Sequence, residues 1–151
     1  MANIAVKIEN IAEFRKAFQR APEVVGRELH RAFEKSTSAV QATAKRLVPV
    51  DSGRLRDSIE TEIRPLEASV FTTLKYAPFV EFGTRPHFPP PQPLDVWARR
   101  HGIPLGAVQK KIAREGTPAV PFLGAAKSER ENEIIGNFAD AITAVERSLE
   151  I

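Results

Sequence analysis

Proline placement is the feature of this sequence that most constrains its fold. The chain has 12 prolines in 151 residues, and half of them fall between Pro86 and Pro104. Proline fixes φ and lacks a backbone N–H, so helix interiors and central strands exclude it, whereas the first turn of a helix accepts it. The long periodic patterns of the chain must therefore lie between the prolines, and the proline-rich stretch must connect them.

The N-terminal third predicts a short strand followed by two helices. Residues 4–8 alternate between apolar and other side chains, which indicates a strand, and a short helix over 11–20 follows. A longer helix runs from 22 to 47 and ends before Pro49, because a residue that precedes proline is pushed out of the helical region. Its apolar positions repeat at steps of three and four and form one buried stripe. The stripe consists of Val25, Leu29, Ala32, Phe33, Val40, Ala44 and Leu47, with the small Ser36 and Thr43 on or beside it.

The middle of the chain predicts an antiparallel hairpin. Residues 59–64 and 68–74 alternate between apolar and polar side chains, which is typical of strands with one solvated face. Pro65 stands between them at a position that a type I or II turn accepts. The segment 76–84 follows, bends at Pro78 and is predicted to continue as a third strand.

The prolines of residues 85–93 predict a stiff extended connector that is neither helix nor central strand. Two short helices over 94–101 and 105–115 follow it, and Gly116 closes the second one as a C-terminal glycine. From about Pro121 the pattern is helical to the end of the chain.

Together these patterns predict an α+β fold. A small antiparallel sheet, made of the hairpin and short strands, packs against the long N-terminal helix and a C-terminal helix. The length suits a single domain over residues 1–151, with a proline-rich and helical insertion at 85–117. The sequence holds no apolar run near the roughly 20 residues that span a bilayer, so no membrane partner is expected.

The sequence contains no arrangement of residues that is typical of an enzyme active site. The chain has no cysteine, and His30, His87 and His101 stand too far apart for metal-ligand spacing. Ser52 is not part of a strand–turn–helix nucleophile elbow, and no glycine-rich phosphate loop is present. We therefore predict no catalytic residue, no metal and no cofactor.

Two local features predict structure that is not catalytic. Asp51 and Gly53 are typical of a turn in which the carboxylate accepts backbone N–H groups and glycine supplies an unusual φ. Glu81 stands among apolar neighbours and needs a cationic or hydrogen-bonding partner, because burial of an unpaired carboxylate costs several kcal/mol. Arg54 and Arg56 are the candidate partners. The pairing lies either within one subunit or between two.

Charge is distributed unevenly along the chain. Residues 85–116 hold six basic and two acidic side chains, whereas residues 127–150 hold three basic and six acidic ones. This polarity either orients a subunit against its neighbours or reflects two solvated faces. The basic segment could also contact phosphates, but it lacks the motifs of a DNA-binding domain, so a solvated helical face is favoured. The candidate phosphate contacts within it fall in residues 99–114 and are Arg99, Arg100, Lys110, Lys111 and Arg114.

Three motifs in order resemble one known family. Residues 49–59 are similar to the "P-x-D-T-G-x-L-R-x-S-I" signature of the small phage tail-component proteins typified by gene product ten of phage Hong Kong 97. Residues 76–84 resemble that family's "Y-A-x-Y-V-E-F-G-T", and residues 116–123 its "G-T-x-A-x-P-F-L". Ser52 replaces a threonine and Phe79 a tyrosine, which keeps a hydroxyl and an aromatic ring. The resemblance covers roughly residues 22–130.

The resemblance implies a structural virion protein of the head–tail junction, made in the cytoplasm of the bacterial host. It implies a ring homo-oligomer, with six-fold symmetry expected, that acts in tail completion or at the neck. Expected partners are other copies of the chain, a head-closure or connector protein, a tail terminator or tail tube protein, and packaged DNA in the channel. The alternative is a DNA-binding accessory protein that uses residues 99–114.

Two sets of residues follow from this identification. The basic segment would face a neighbouring ring or the DNA channel. The motif residues are the candidates for structural roles or subunit contacts. They are Asp51, Gly53, Arg54, Leu55, Arg56, Tyr76, Glu81, Gly83, Thr84, Pro121 and Phe122.

Overall fold

A computed structural model describes residues 4–8 and 21–148, and the predicted helix over 11–20 lies outside these residues. The described elements are β1 (Ile4–Ile8), α1 (Pro22–Leu47), α2 (Arg54–Asp57), β2 (Glu60–Arg64), β3 (Glu67–Thr72), α3 (Ala77–Phe82), α4 (Pro91–Arg100), α5 (Leu105–Glu115), α6 (Phe122–Glu129) and α7 (Glu131–Ser148). They form two compact units. The first unit comprises residues 1–75 and 122–151, and the second comprises residues 76–121. The α+β class is confirmed.

Helix α1 forms over the predicted residues, and it is the centre of the first unit. Proline at its start leaves no hydrogen bond unmade, and Val48 in extended conformation ends it before Pro49. The predicted stripe is buried, apart from the half-buried Leu47. Phe33 packs edge-on against Phe138 of α7, with ring centroids 5.2 Å apart. The helix contacts β2 and β3 of the sheet and also α6 and α7.

Small polar residues on α1 receive side chains from the C-terminal segment. Asn137 Nδ2 donates to the Oγ of the fully buried Ser36 at 3.1 Å. Arg130 Nε donates to Thr43 Oγ1 at 2.8 Å. Because serine and threonine are small, the helices can approach closely while the buried hydroxyls keep partners. Among the described residues, every buried side-chain nitrogen or oxygen has a partner.

The sheet has the order β1-β3-β2, and both of its strand pairs are antiparallel. The predicted hairpin is present, with Pro65 and Leu66 in the turn. Ala68, Val70 and Thr72 of β3 are buried, as their alternation predicts. Thr72 Oγ1 lies 2.7 Å from Ser58 Oγ, so a hydroxyl pair ties the inner strand to the segment before β2.

Three predictions for other elements are wrong in part. Segment 76–84 is not a third strand, because residues 77–82 form α3 and the third strand of the sheet is β1. The extended connector is shorter than predicted, since α4 begins at Pro91. Prolines fit there because the first N–H groups of a helix lack intrahelical partners. The C-terminal pattern forms two helices, α6 and α7, which separate at Arg130.

A buried carboxylate on α1 should make the stability of the protein depend on pH. The hydrogen bond from Arg27, at 3.0 Å, and the charge of Arg31 hold the pKa of Glu28 below its ordinary value of 4.5, against the opposing effect of burial. A lowered folded-state pKa stabilises the protein above the unfolded pKa, and this stabilisation is lost as pH falls through the folded value.

We therefore expect Glu28→Gln to lose less stability than wild type between about pH 7 and pH 3. Urea unfolding at both pH values measures the two losses. Equal losses in the two proteins would show that Glu28 is not linked to folding.

Candidate functional site

The first motif forms a turn and one helical turn within the first unit. Gly53 adopts a positive φ of 84°, as predicted, and precedes α2. The Arg54 N–H lies 3.5 Å from Ser52 Oγ, which makes serine part of the turn. Leu55 is buried and anchors α2, whereas Arg54 and Arg56 are exposed. This motif is therefore a structural corner that presents two cations.

The second motif forms α3, and this helix has an inverted pattern of burial. Tyr76, Phe79 and Phe82 are three residues apart, so they lie along one side of the helix. Their side chains are exposed, by 41%, 59% and 72% respectively. Glu81 is only 4% exposed and Ala77 is buried, on the opposite side. We call the exposed aromatic trio the aromatic ridge.

This inversion is opposite to what solvation alone would produce. A surface helix of a globular protein normally turns its apolar side toward the core and its charged side chains toward solvent. Here a carboxylate is buried, as predicted from its apolar neighbours, and aromatic rings face outward. The pairing of Glu81 with Arg54 or Arg56 stays a prediction. Arg56 Nε contacts Asp57 Oδ1 at 3.0 Å within α2.

Two Gly-Thr pairs from the second and third motifs face each other in the second unit. The Thr84 N–H donates to the Thr117 carbonyl at 3.0 Å, and the Thr117 N–H donates to the Thr84 carbonyl at 3.2 Å. The two threonine hydroxyls lie 3.0 Å apart. We call this pairing of residues 83–84 with residues 116–117 the clasp. The Val120 N–H also donates to the Val80 carbonyl at 2.8 Å, which extends it.

Glycine is required on both sides of the clasp. Gly83 and Gly116 have φ values of 69° and 73°, a region that other residues avoid. A Cβ on Gly83 would lie 2.5 Å from the Thr117 carbonyl oxygen, and a Cβ on Gly116 would overlap the Thr84 carbonyl oxygen. The backbone after Glu81 therefore approaches Thr117 more closely than any residue with a Cβ would allow.

The clasp brings together the two ends of the basic segment, and α4 and α5 pack against each other inside it. Gln109 Nε2 donates to the Pro89 carbonyl at 3.0 Å, which ties α5 to the proline-rich loop. The ring of Trp97 lies against that of His101, with ring centroids 4.4 Å apart. The clasp and these contacts make residues 76–121 a compact unit.

The five candidate cations lie exposed on α4 and α5. Arg99 and Arg114 contact carboxylates of their own helices. Arg99 pairs with Asp95 one turn earlier, and Arg114 Nε donates to Glu115 at 3.0 Å. The hydrogen bond and charge of Arg114 lower the pKa of Glu115. These ion pairs reduce the positive charge that the segment can offer to phosphates.

The remaining motif residues divide between the units. Pro121 is exposed at the end of the second unit. Phe122 is fully buried and begins α6 in the first unit, so its role is in the core.

Sequence reasoning missed the most exposed part of the site. A strand over residues 76–84 makes Phe79 and Phe82 only apolar neighbours of Glu81 and predicts no exposed aromatic side. The three-residue spacing of the aromatic side chains and Pro78 near the start were the signals for a helix. Thr117 was also not singled out, since its pairing with Thr84 joins distant segments.

Metal sites and membrane-spanning helices are two other features that the described residues can be checked for. Residues 4–8 and 21–148 contain no group of three or more histidine or carboxylate side chains that could hold a metal ion. No helix in these ranges combines the length and apolar character that crossing a bilayer needs.

Comparison with known proteins matches one family. A family model described as "Bacteriophage HK97-gp10, putative tail-component" matches residues 12–83, which include the motif turn and the whole aromatic ridge. No curated protein and no solved structure matches the chain. The resemblance drawn from the motifs is therefore confirmed over residues 12–83, and it indicates a component of a phage tail. Of the clasp residues, only Gly83 lies within the match.

Proposed function

We propose that this chain, which is similar over residues 12–83 to the HK97-gp10 tail components, completes the tail or neck during head–tail joining and assembles as a ring. In this proposal it is a structural protein of the virion with no catalytic role. Its partners are other copies of itself, a head-closure or connector protein, and a tail terminator or tail tube protein.

The observation that carries the proposal is the aromatic ridge within the family-matched segment. Monomeric proteins rarely expose large contiguous apolar surface, so such surface marks an interaction site. Aromatic side chains are also enriched at protein interfaces. The ridge exposes three such side chains on a helix that buries its own carboxylate. A subunit that is covered by neighbours in an assembly accounts for this arrangement.

The basic segment fits the same proposal. Its exposed cations on α4 and α5 would face a neighbouring ring or the DNA channel. The ion pairs of Arg99 and Arg114 within their own helices favour this role over strong DNA binding on its own. The DNA-binding alternative requires salt-dependent retention on DNA that is lost when Lys110 and Lys111 are neutralised.

When the gene for this chain is deleted from the phage genome, we expect filled heads and complete tails that remain unjoined. Electron microscopy of the lysate and infectivity measure the effect. Supplying the wild-type chain should restore joining. The variant Phe79→Asp on the ridge should restore the number of joined particles to less than about one-tenth of the wild-type level. Phe88→Asp is the matched control, because Phe88 is also exposed, by 70% against 59% for Phe79, but lies outside the ridge. Infectious, joined particles from the deletion would refute the proposal.

A further inference from the structure

The C-terminal helix α7 carries an exposed stripe whose pattern complements the ridge. Residues 131, 135, 139, 142 and 146 follow each other at steps of three and four, so they lie along one side of the helix. Ile135 is 58% exposed, Ala139 is exposed and Ile142 is half-buried. The exposed carboxylates Glu131 and Glu146 stand at the two ends. We call this row the acidic stripe.

The ridge has the same order of apolar centre and charged ends, with opposite charge. Lys75 and Arg85 are both exposed, and they precede and follow the aromatic trio along the chain. The acidic stripe extends about 22 Å at 1.5 Å per residue. In the segment 75–85, residues 75 and 76 form a turn, residues 77–82 form α3 and three more residues follow, so it spans roughly 20–25 Å. The lengths therefore permit both cations to approach both carboxylates.

We propose that the aromatic ridge of one copy docks on the acidic stripe of a second copy. The three rings cover Ile135 and Ala139, and Lys75 and Arg85 meet the carboxylates at the stripe's ends. The two surfaces differ, so the contact is head-to-tail, and such contacts generate a ring when the rotation between copies closes. This inference rests on the proposed ring and names the surfaces that join its subunits.

The size of the contact determines how the assembly should behave. A fully buried aromatic side chain covers about 150–250 Å². Three partly exposed rings therefore supply less than the roughly 800 Å² per partner that is typical of a stable complex. A single contact is weak, and ring closure strengthens it because each copy then makes two. Assembly should therefore rise steeply with protein concentration.

The absence of cysteine from the chain allows a direct test by disulfide crosslinking. Two full-length single-cysteine proteins, Phe79→Cys and Ile135→Cys, are mixed at high concentration and oxidised, with a mass tag on one of them. We expect mixed disulfide dimers to form at least roughly ten-fold faster than with the control, because docking raises the local concentration of the pair. The control partner is Asp140→Cys, an exposed position about 140° around the same helix from Ile135.

Sedimentation of the unmodified wild-type chain over the same concentrations separates the possible failures. Oligomers without preferential crosslinking at Ile135 would overturn this contact and leave the ring standing. Phe79→Cys homodimers as the main product would overturn it in favour of a symmetric contact between ridges. No association by either method would overturn both the contact and the self-assembled ring, and would assign the ridge to a different tail protein.

Discussion

Gly116→Ala should loosen the second unit, with an expected loss of at least about 3 kcal/mol in the free energy of unfolding. The added Cβ would overlap the Thr84 carbonyl oxygen, which accepts the Thr117 N–H of the clasp. The positive φ of Gly116 adds strain of its own. Relief of the overlap requires the two Gly-Thr pairs to separate. Hydrogen exchange and limited proteolysis should therefore show lost protection across residues 76–121.

Two other glycines provide matched controls for this substitution. Gly102 has a φ of 65° but nothing within 4 Å of its Cβ position, so Gly102→Ala should cost only the backbone strain, about 1–2 kcal/mol. Gly106 lies in α5 with open space around it, and alanine there should stabilise by about 0.5–1 kcal/mol. If Gly116→Ala proved no more damaging than Gly102→Ala, the clasp would not hold the unit together.

Phe33→Ala should destabilise the first unit by about 3–5 kcal/mol. Phe33 is fully buried at the centre of α1, and its ring meets Phe138 edge-on. Removing it leaves a cavity where α1 meets α7 and also removes the aromatic pair. For a chain of this length the melting temperature should fall by roughly 6–20 °C. Thermal and urea unfolding measure the loss.

Phe88→Ala is the control that makes the same chemical change at an exposed position. It should alter the free energy of unfolding by less than about 0.5 kcal/mol, as surface substitutions usually do. Similar effects of the two substitutions would mean that the interface between α1 and α7 does not limit stability.

Helix α1 illustrates how much of the fold can be predicted from the sequence. Its bounds followed from Pro22 and Pro49, and its buried stripe followed from the steps of three and four. The hairpin followed from alternation and Pro65, and α5 from its periodicity and Gly116. These features depend on interactions between residues near in the chain, so their sequence patterns are strong.

The aromatic ridge shows why the rest could not be predicted. Its aromatic and β-branched residues favour a strand, and the buried carboxylate of Glu81 breaks the usual helical pattern. A proline near the start of α3 is compatible with a bend before a strand and with a helix. Long-range packing decided between the two, and packing cannot be read from a window of seven residues.

The sequence by itself determined the long helix, the hairpin, the turn at Gly53 and the helix end at Gly116, because local sterics and hydrophobic periodicity set each of them. It also contains the motifs that resemble the matched family. Only the tertiary structure decided that Gly83-Thr84 pairs with Gly116-Thr117, that β1 completes the sheet, and that the aromatic side of α3 faces outward. Each of these depends on contacts between segments distant in the chain. The surfaces that we propose for assembly therefore became visible only once the chain was folded.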